Sequence, residues 1–236
     1  MKKAEELNYR LYSVEALRIL KRIMSYDKLS SMLNIPPTAL SRYVNGHVIP
    51  SLETARSILN IFKREYLIKE VNNRIVVDEF GAVDSSMIIY DPVLLKHLII
   101  SEYEKINSVK IDKVLTLETD GVPVAYQIAS MLGKEVAVAR KAKKLGIRDF
   151  LEIKQVFESG TYRYIYISRN AIKKGEYVFL TDDIIRTGAT IRALVNLCKE
   201  AKANVSGIFA VISLKKMHTK LEDELGIPVN SFIELQ

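Results

Sequence analysis

The chain has 236 residues, 48% hydrophobic and 27% charged, with a formal net charge of +7; this length favours a small module joined to a medium one, and the composition excludes a chain that is disordered throughout. One cysteine, Cys198, rules out an internal disulfide, and with three histidines a structural zinc site is disfavoured. No apolar run approaches the roughly 18 residues of a spanning helix and the N-terminus has no export-type apolar stretch, so a cytoplasmic protein without membrane contact is expected.

The charge is uneven. Residues 1–75 carry 13 Lys and Arg against 7 Asp and Glu, a net of +6, whereas residues 76–236 carry 22 against 21. A basic N-terminal domain, 1–75, joined to a nearly neutral one, 76–236, makes a polyanion partner plausible for the first part, although basic residues also solvate helix faces. No Gly/Ser/Pro-rich linker separates the two, and helical pattern continues from about Ser51 through Glu70, which implies a short, stiff junction.

In the N-terminal part, Val14, Leu17, Leu20 and Met24 recur at helical spacing, with Ala16 and Ile23 widening the stripe. A short amphipathic helix follows through Leu29, Met32 and Leu33, then a turn at Asn34, Ile35 and Pro36. A second short helix starts at Pro37, where a missing N–H costs nothing, and stops at Gly46. Ala39, Leu40 and Val44 can face inward on it. Two short helices joined by a tight turn can place the second in a DNA major groove, while a helical bundle that binds protein is the competing reading. Residues 28–59, with Leu-Ser-x-Tyr-x-x-Gly at 40–46 and Pro-Ser-x-x-Thr at 50–54, resemble the phage-repressor-like (XRE-type) helix-turn-helix family. The resemblance implies double-stranded DNA as partner, with Thr38, Ala39, Ser41 and Arg42 nearest base edges and Lys28, Tyr43, Asn45 and His47 at phosphates. Pro36 stands where that family usually has a Ser or Thr cap, so one helix-start hydrogen bond is expected to be missing.

From residue 108 onward strands and helices alternate: strands at 113–118, 135–140, 162–168, 176–182 and 205–213, with helices at 121–133 and 189–202. Such alternation predicts an α/β fold with a mostly parallel sheet covered by helices, and ligands at the carboxyl ends of its strands. At one such end, residues 178–190, a hydrophobic strand runs into Asp182 and Asp183, and a Thr187-Gly188-Ala189-Thr190 turn opens a helix. Free N–H groups at that helix start, with the threonine hydroxyls, suit a phosphate. The two carboxylates would repel that phosphate, so they suit hydroxyls displaced from it, or a hydrated divalent cation. Together they describe a ribose 5-phosphate.

The same block resembles the phosphoribosyl pyrophosphate (PRPP) signature of type I phosphoribosyltransferases. The resemblance implies a type I phosphoribosyltransferase-like sheet with helices on both faces, preceded by the small all-α domain. Asp182 and Asp183 would hold the ribose hydroxyls, and Arg186, Thr187, Gly188, Ala189 and Thr190 would wrap the 5-phosphate, Ala189 standing where a second Gly is usual. Thr119, Asp120 and Gly121 resemble the family's pyrophosphate loop, and Arg140 with Lys141 its pyrophosphate-neutralising pair. Mg²⁺ is implied with PRPP or pyrophosphate, not held by protein ligands alone. Residues 141–162 are the candidate lid, and no catalytic residue is assigned.

The whole arrangement is similar to archaeal regulators that join a repressor-like helix-turn-helix to a phosphoribosyltransferase-like domain, the GfcR family, and in logic to bacterial purine repressors. It implies a homodimeric transcription regulator with PRPP or a related ribose phosphate or nucleotide as effector. A working purine or pyrimidine phosphoribosyltransferase with an accessory DNA-binding module is the alternative, and RNA binding a third.

Overall fold

The computed structural model describes residues 3–236. It divides into two compact units, one comprising residues up to 75 with 96–101, the other 76–95 with 102–236.

The first unit is helical: α1 (Lys3–Ile23), α2 (Tyr26–Leu33), α3 (Pro37–Val44) and α4 (Leu52–Phe62), the last running through a π-helical turn, Lys63–Leu67, into α5 (Ile68–Arg74). Leu17 and Leu20 of α1, Leu29 of α2, Leu40 of α3 and Ile58 and Phe62 of α4 have no solvent exposure and form its core. The α1 stripe extends to Tyr9 and Ser13, both buried, whereas Ile23 is 54% exposed and does not widen it. The Ser25 and Ser51 hydroxyls accept from the N–H groups of Lys28 and Thr54 and cap α2 and α4. Pro36 supplies no such cap to α3.

The second unit opens with a small antiparallel ribbon, β1 (Val76–Val77) with β2 (Val83–Asp84), followed by α6 (Ser86–Ile89), α7 (Pro92–Ser101), which the division into units crosses, and α8 (Tyr103–Ile106). Then come β3 (Lys113–Leu117), α9 (Gly121–Leu132), β4 (Glu135–Ala139), β5 (Phe150–Val156), β6 (Tyr162–Ser168), β7 (Tyr177–Ile185), α10 (Ala189–Glu200), β8 (Asn204–Leu214), α11 (Met217–Leu225) and β9 (Val229–Leu235). Five strands form one all-parallel sheet in the order β4-β3-β7-β8-β9. Because β3→β4 steps one way along the sheet and β7→β8→β9 the other, right-handed crossovers put α9 and α10 on opposite faces. The order reverses between β3 and β7, and a parallel sheet leaves its ligand crevice at that switch point. Cys198 lies in the core beside α10's other apolar residues, and burial pushes its thiol up to about 12, which makes it an inert packing group.

Three expectations change. Tyr162–Ser168 is not a strand of the parallel sheet: it pairs antiparallel with Phe150–Val156 in a separate hairpin, so the second half of the candidate lid is ordered strand and turn. Ile153 and the fully buried Ile165 face each other across that hairpin and join the core under α10. The strand carrying the paired carboxylates runs on to Ile185, its Asp182 and Ile184 opposite Ala210 and Ile212 of β8. Finally, β9 closes the sheet from a stretch whose alternation is too short to announce it.

Candidate functional site

Asp182 and Asp183 sit near the carboxyl end of β7, beside the loop that follows β3. Asp182 is 8% exposed and its Oδ1 accepts the Asp183 N–H at 3.1 Å. Burial pushes its carboxyl well above the ordinary carboxylate range, and the negative charges of Asp183 and Asp120 add to the effect. Asp183 is more open, and its Oδ2 accepts the Ser85 hydroxyl at 2.6 Å. Asp120, in the β3–α9 loop, accepts the Tyr90 hydroxyl at 2.7 Å, a bond that raises the phenol's pKa.

Gly121 begins α9 against this strand. A methyl group there would collide with Thr116 Oγ1 and stand 3.0 Å from Asp182 Oδ1, so only glycine lets the loop approach the carboxylate so closely. The peptide bond between Glu118 and Thr119 is cis.

Beyond β7, Gly188 adopts a left-handed φ of 78° and serves as the N-cap of α10 without a side chain to offer, so no capping side chain from that position meets the helix's first N–H groups. The Thr187 hydroxyl lies 3.4 Å from the Ala189 N–H. The loop is held from behind by Arg192, which donates to the Thr187 carbonyl at 2.7 Å and forms a bidentate pair with Glu224.

Two adjoining cavities open here. One, about 250 Å³, is lined by Arg186 through Thr190 with Asp182 and residues of the β5–β6 hairpin. The other, about 290 Å³, is lined by Asp120, Lys141, Asp182 and Asp183 among others. Asp182, Arg186, Thr190 and Arg163 border both. The structure therefore brings Asp182, Asp183, Arg186, Thr187, Gly188, Ala189, Thr190, Asp120 and Lys141 to one site. Thr119, Gly121 and Arg140 are not in either lining. Thr119 is exposed beside Asp120, Gly121 is buried behind it, and Arg140 pairs with Glu118 Oε2 at 3.0 Å while the Lys141 N–H donates to Glu118 Oε1 at 2.7 Å.

Ser85, Tyr90, Gln155, Arg163, Arg192 and Glu118 also belong to the site's surroundings; the sequence alone assigns none of them a role there, although Glu118 opens the loop read as the pyrophosphate loop and Gln155 falls within the candidate lid. Their signal is geometric, since Ser85 meets a partner 98 residues away and Tyr90 one 30 away.

Of the residues expected at DNA, Lys28, Thr38, Arg42, Asn45 and His47 are exposed, and Ala39, Ser41 and Tyr43 are half-buried. Asn45 Nδ2 donates to Ser41 Oγ at 3.3 Å, and Arg18 Nε to the Val44 carbonyl at 2.8 Å, which ties the end of α3 to α1. Among the described residues no helix is long and apolar enough to cross a membrane, and no three His, Cys, Asp or Glu side chains are grouped to hold a metal.

Over residues 14–66 the sequence matches the helix-turn-helix family (HTH_3). It is 28% identical over 145 residues to the hypoxanthine/guanine phosphoribosyltransferase of Methanothermus fervidus, covering 61% of this chain and 75% of that one. It is also 33% identical over 116 residues to the purine biosynthesis transcriptional repressor PurR of Bacillus subtilis; the match covers 49% of this chain and spans less than half of the repressor, 41%. The adenine phosphoribosyltransferase structure from Rhodothermus marinus superposes with a TM-score of 0.64 at 25% identity, over 72% of this chain and 99% of that one. The switch-point crevice, the carboxylate pair and the Gly188 turn at the head of α10 lie within residues 88–231, the segment that matches the phosphoribosyl transferase domain, and the chain belongs to that family.

Proposed function

We propose that the protein is a DNA-binding transcription regulator whose phosphoribosyltransferase-type domain senses PRPP or a related ribose phosphate or nucleotide, and that it controls genes of nucleotide or sugar metabolism in the cytoplasm. The observation that carries this reading is the joining, in one chain, of a helix-turn-helix domain to a site with paired carboxylates and an anion nest. An enzyme alone gains nothing from the first part; a sensor needs both. The similarity to a purine repressor supports it.

In this reading Asp182 and Asp183 hold the ribose hydroxyls, Arg186 through Thr190 the 5-phosphate, and Thr119, Asp120, Gly121, Arg140 and Lys141 the pyrophosphate end. Mg²⁺ fits as a companion of the ligand: oxygen donors are abundant, but a cation here would draw most of its coordination from ligand phosphates. Lys28, Thr38, Ala39, Ser41, Arg42, Tyr43, Asn45 and His47 face DNA. In a homodimer two copies of α3 would meet half-sites about 34 Å apart, or a multiple of that. Ligand acts by binding DNA-competent and DNA-incompetent forms with different affinity.

Footprinting across the genome with and without PRPP and Mg²⁺ tests this directly. Protected operators whose occupancy changes with PRPP are expected, and a chain that footprints nowhere would overturn it. Arg42→Ala is expected to reduce discrimination between operator and random DNA by about 1–3 kcal/mol, measured by competition at fixed salt; equal loss on both DNAs would make Arg42 a phosphate contact.

A second reading, a working phosphoribosyltransferase, is favoured by the convergence of the carboxylates, Lys141 and the nest on adjoining cavities. Pyrophosphate release from PRPP and Mg²⁺ with any common nucleobase would establish it.

A further inference from the structure

The β5–β6 hairpin brings to the turn at the head of α10 two side chains to which nothing above assigns a ligand role, Gln155 within the candidate lid and Arg163 just beyond it. Gln155 of β5 and Arg163 of β6 are directly opposed in the hairpin register. Gln155 is 1% exposed; its Nε2 donates to Thr190 Oγ1 at 3.1 Å, and its Oε1 accepts from Arg163 Nε at 2.7 Å. A guanidinium only donates, so the bond from Arg163 fixes the amide with its oxygen toward the arginine and its nitrogen toward Thr190. The Thr190 oxygen therefore receives a donor, and its own proton is left for an acceptor in the cavity it borders.

Arg163 spends Nε on Gln155 and packs its guanidinium 5.3 Å from the Phe157 ring centre. It is one of the residues bordering both cavities. The second cavity is lined by four acids, Glu118, Asp120, Asp182 and Asp183, against three bases, Lys141, Arg163 and Arg186. A ligand with a phosphoryl group at the sugar's anomeric end meets that acidic wall, and each cation removed raises the repulsion.

We infer that Arg163 is a further anion-binding residue of this site, contacting the ligand from the hairpin and favouring a ribose phosphate charged at both ends over one charged at the 5′ end alone. Gln155 is its positioning residue and also sets Thr190 as a donor. The inference rests on the reading of the site as a ribose phosphate pocket.

Calorimetry on the full chain with Mg²⁺, using PRPP and ribose 5-phosphate as separate probes, tests it. Arg163→Ala is expected to weaken PRPP by about 10–100-fold, the loss of a charge-assisted contact, and ribose 5-phosphate by several-fold less, so the ratio of the two affinities falls. Arg163→Met keeps the length of the side chain without its charge or its donors and should show the same fall in ratio. Arg163→Lys should restore part of it. Gln155→Glu keeps an acceptor for Arg163 but turns the Thr190 proton away from the nest, so both ligands should weaken together while their ratio stays near the wild-type value. A wild-type ratio in both Arg163→Ala and Arg163→Met would overturn this inference alone. Wild-type protein that binds neither probe would overturn the ribose phosphate reading beneath it.

Discussion

Gly121→Ala is expected to lower the unfolding free energy by about 1–3 kcal/mol and to abolish ribose phosphate binding. The sign is diagnostic, because alanine at a helix start would ordinarily be neutral or favourable by propensity. Here the added methyl meets Thr116 Oγ1, in a strand side chain with no exposure, and stands 3.0 Å from Asp182 Oδ1. Relief requires the β3–α9 loop to lift from β7, which carries Asp120 away from the carboxylate pair. Urea unfolding and calorimetry on the same preparation check both halves of the expectation. Unimpaired stability together with wild-type binding would show that the loop does not need its close approach.

Asp182→Asn should move the two properties in opposite directions. Burial and two neighbouring negative charges hold the Asp182 carboxyl well above its ordinary range. The unfolded chain gives up this proton near pH ~4, whereas the folded chain keeps it to higher pH. Between those values the native state binds the extra proton, so the stability contributed by this group falls as pH rises through the window. Asparagine retains an oxygen to accept the Asp183 N–H and cannot ionise. The variant should therefore gain stability over the wild type as pH rises, with the gain vanishing near pH ~4, where the carboxyl is protonated in both states. Its affinity for ribose phosphates should fall by at least about tenfold, since the second carboxyl oxygen becomes an amide nitrogen that cannot accept from a sugar hydroxyl. Chemical unfolding across pH 4–8 reads the first effect. A variant with the wild-type pH slope would remove Asp182 as its source. Stability gained while binding is lost is the usual mark of a group retained for function.

Much of this arrangement is legible along the chain because it is local. The turn at 34–36, the Pro37 helix start and the Gly46 stop are adjacent residues obeying short-range rules, and α3 spans Pro37–Val44 accordingly. The carboxylate pair and the glycine turn after it likewise lie within nine residues of one another. What escapes is whatever depends on pairing at a distance. Tyr162–Ser168 alternates like any half-buried strand, and nothing in that alternation says whether its neighbour is β3 or Phe150–Val156. Residues 76–106 lack a strong period, so the ribbon and short helices that deliver Ser85 and Tyr90 to two acidic side chains are invisible until the chain is folded. Arg192 reads as an ordinary basic residue on a helix. Its grip on the Thr187 carbonyl follows from Glu224, 32 residues later, holding the other side of the guanidinium.

The β5–β6 hairpin stands outside the main sheet, joined to it through the isolated bridge between Arg140 and Tyr166, and its buried face rests on α10. A ribbon of two strands has little stability of its own in water. Its amides should therefore open to deuterium by a local route long before the five-stranded sheet unfolds. Whatever fills the nest at the head of α10 tightens Gln155 against Thr190 and closes that route, by an amount set by ligand concentration over its dissociation constant. Slowed isotope exchange along residues 150–168, with the parallel strands unaffected, would then report occupancy from backbone that need not touch the ligand at all.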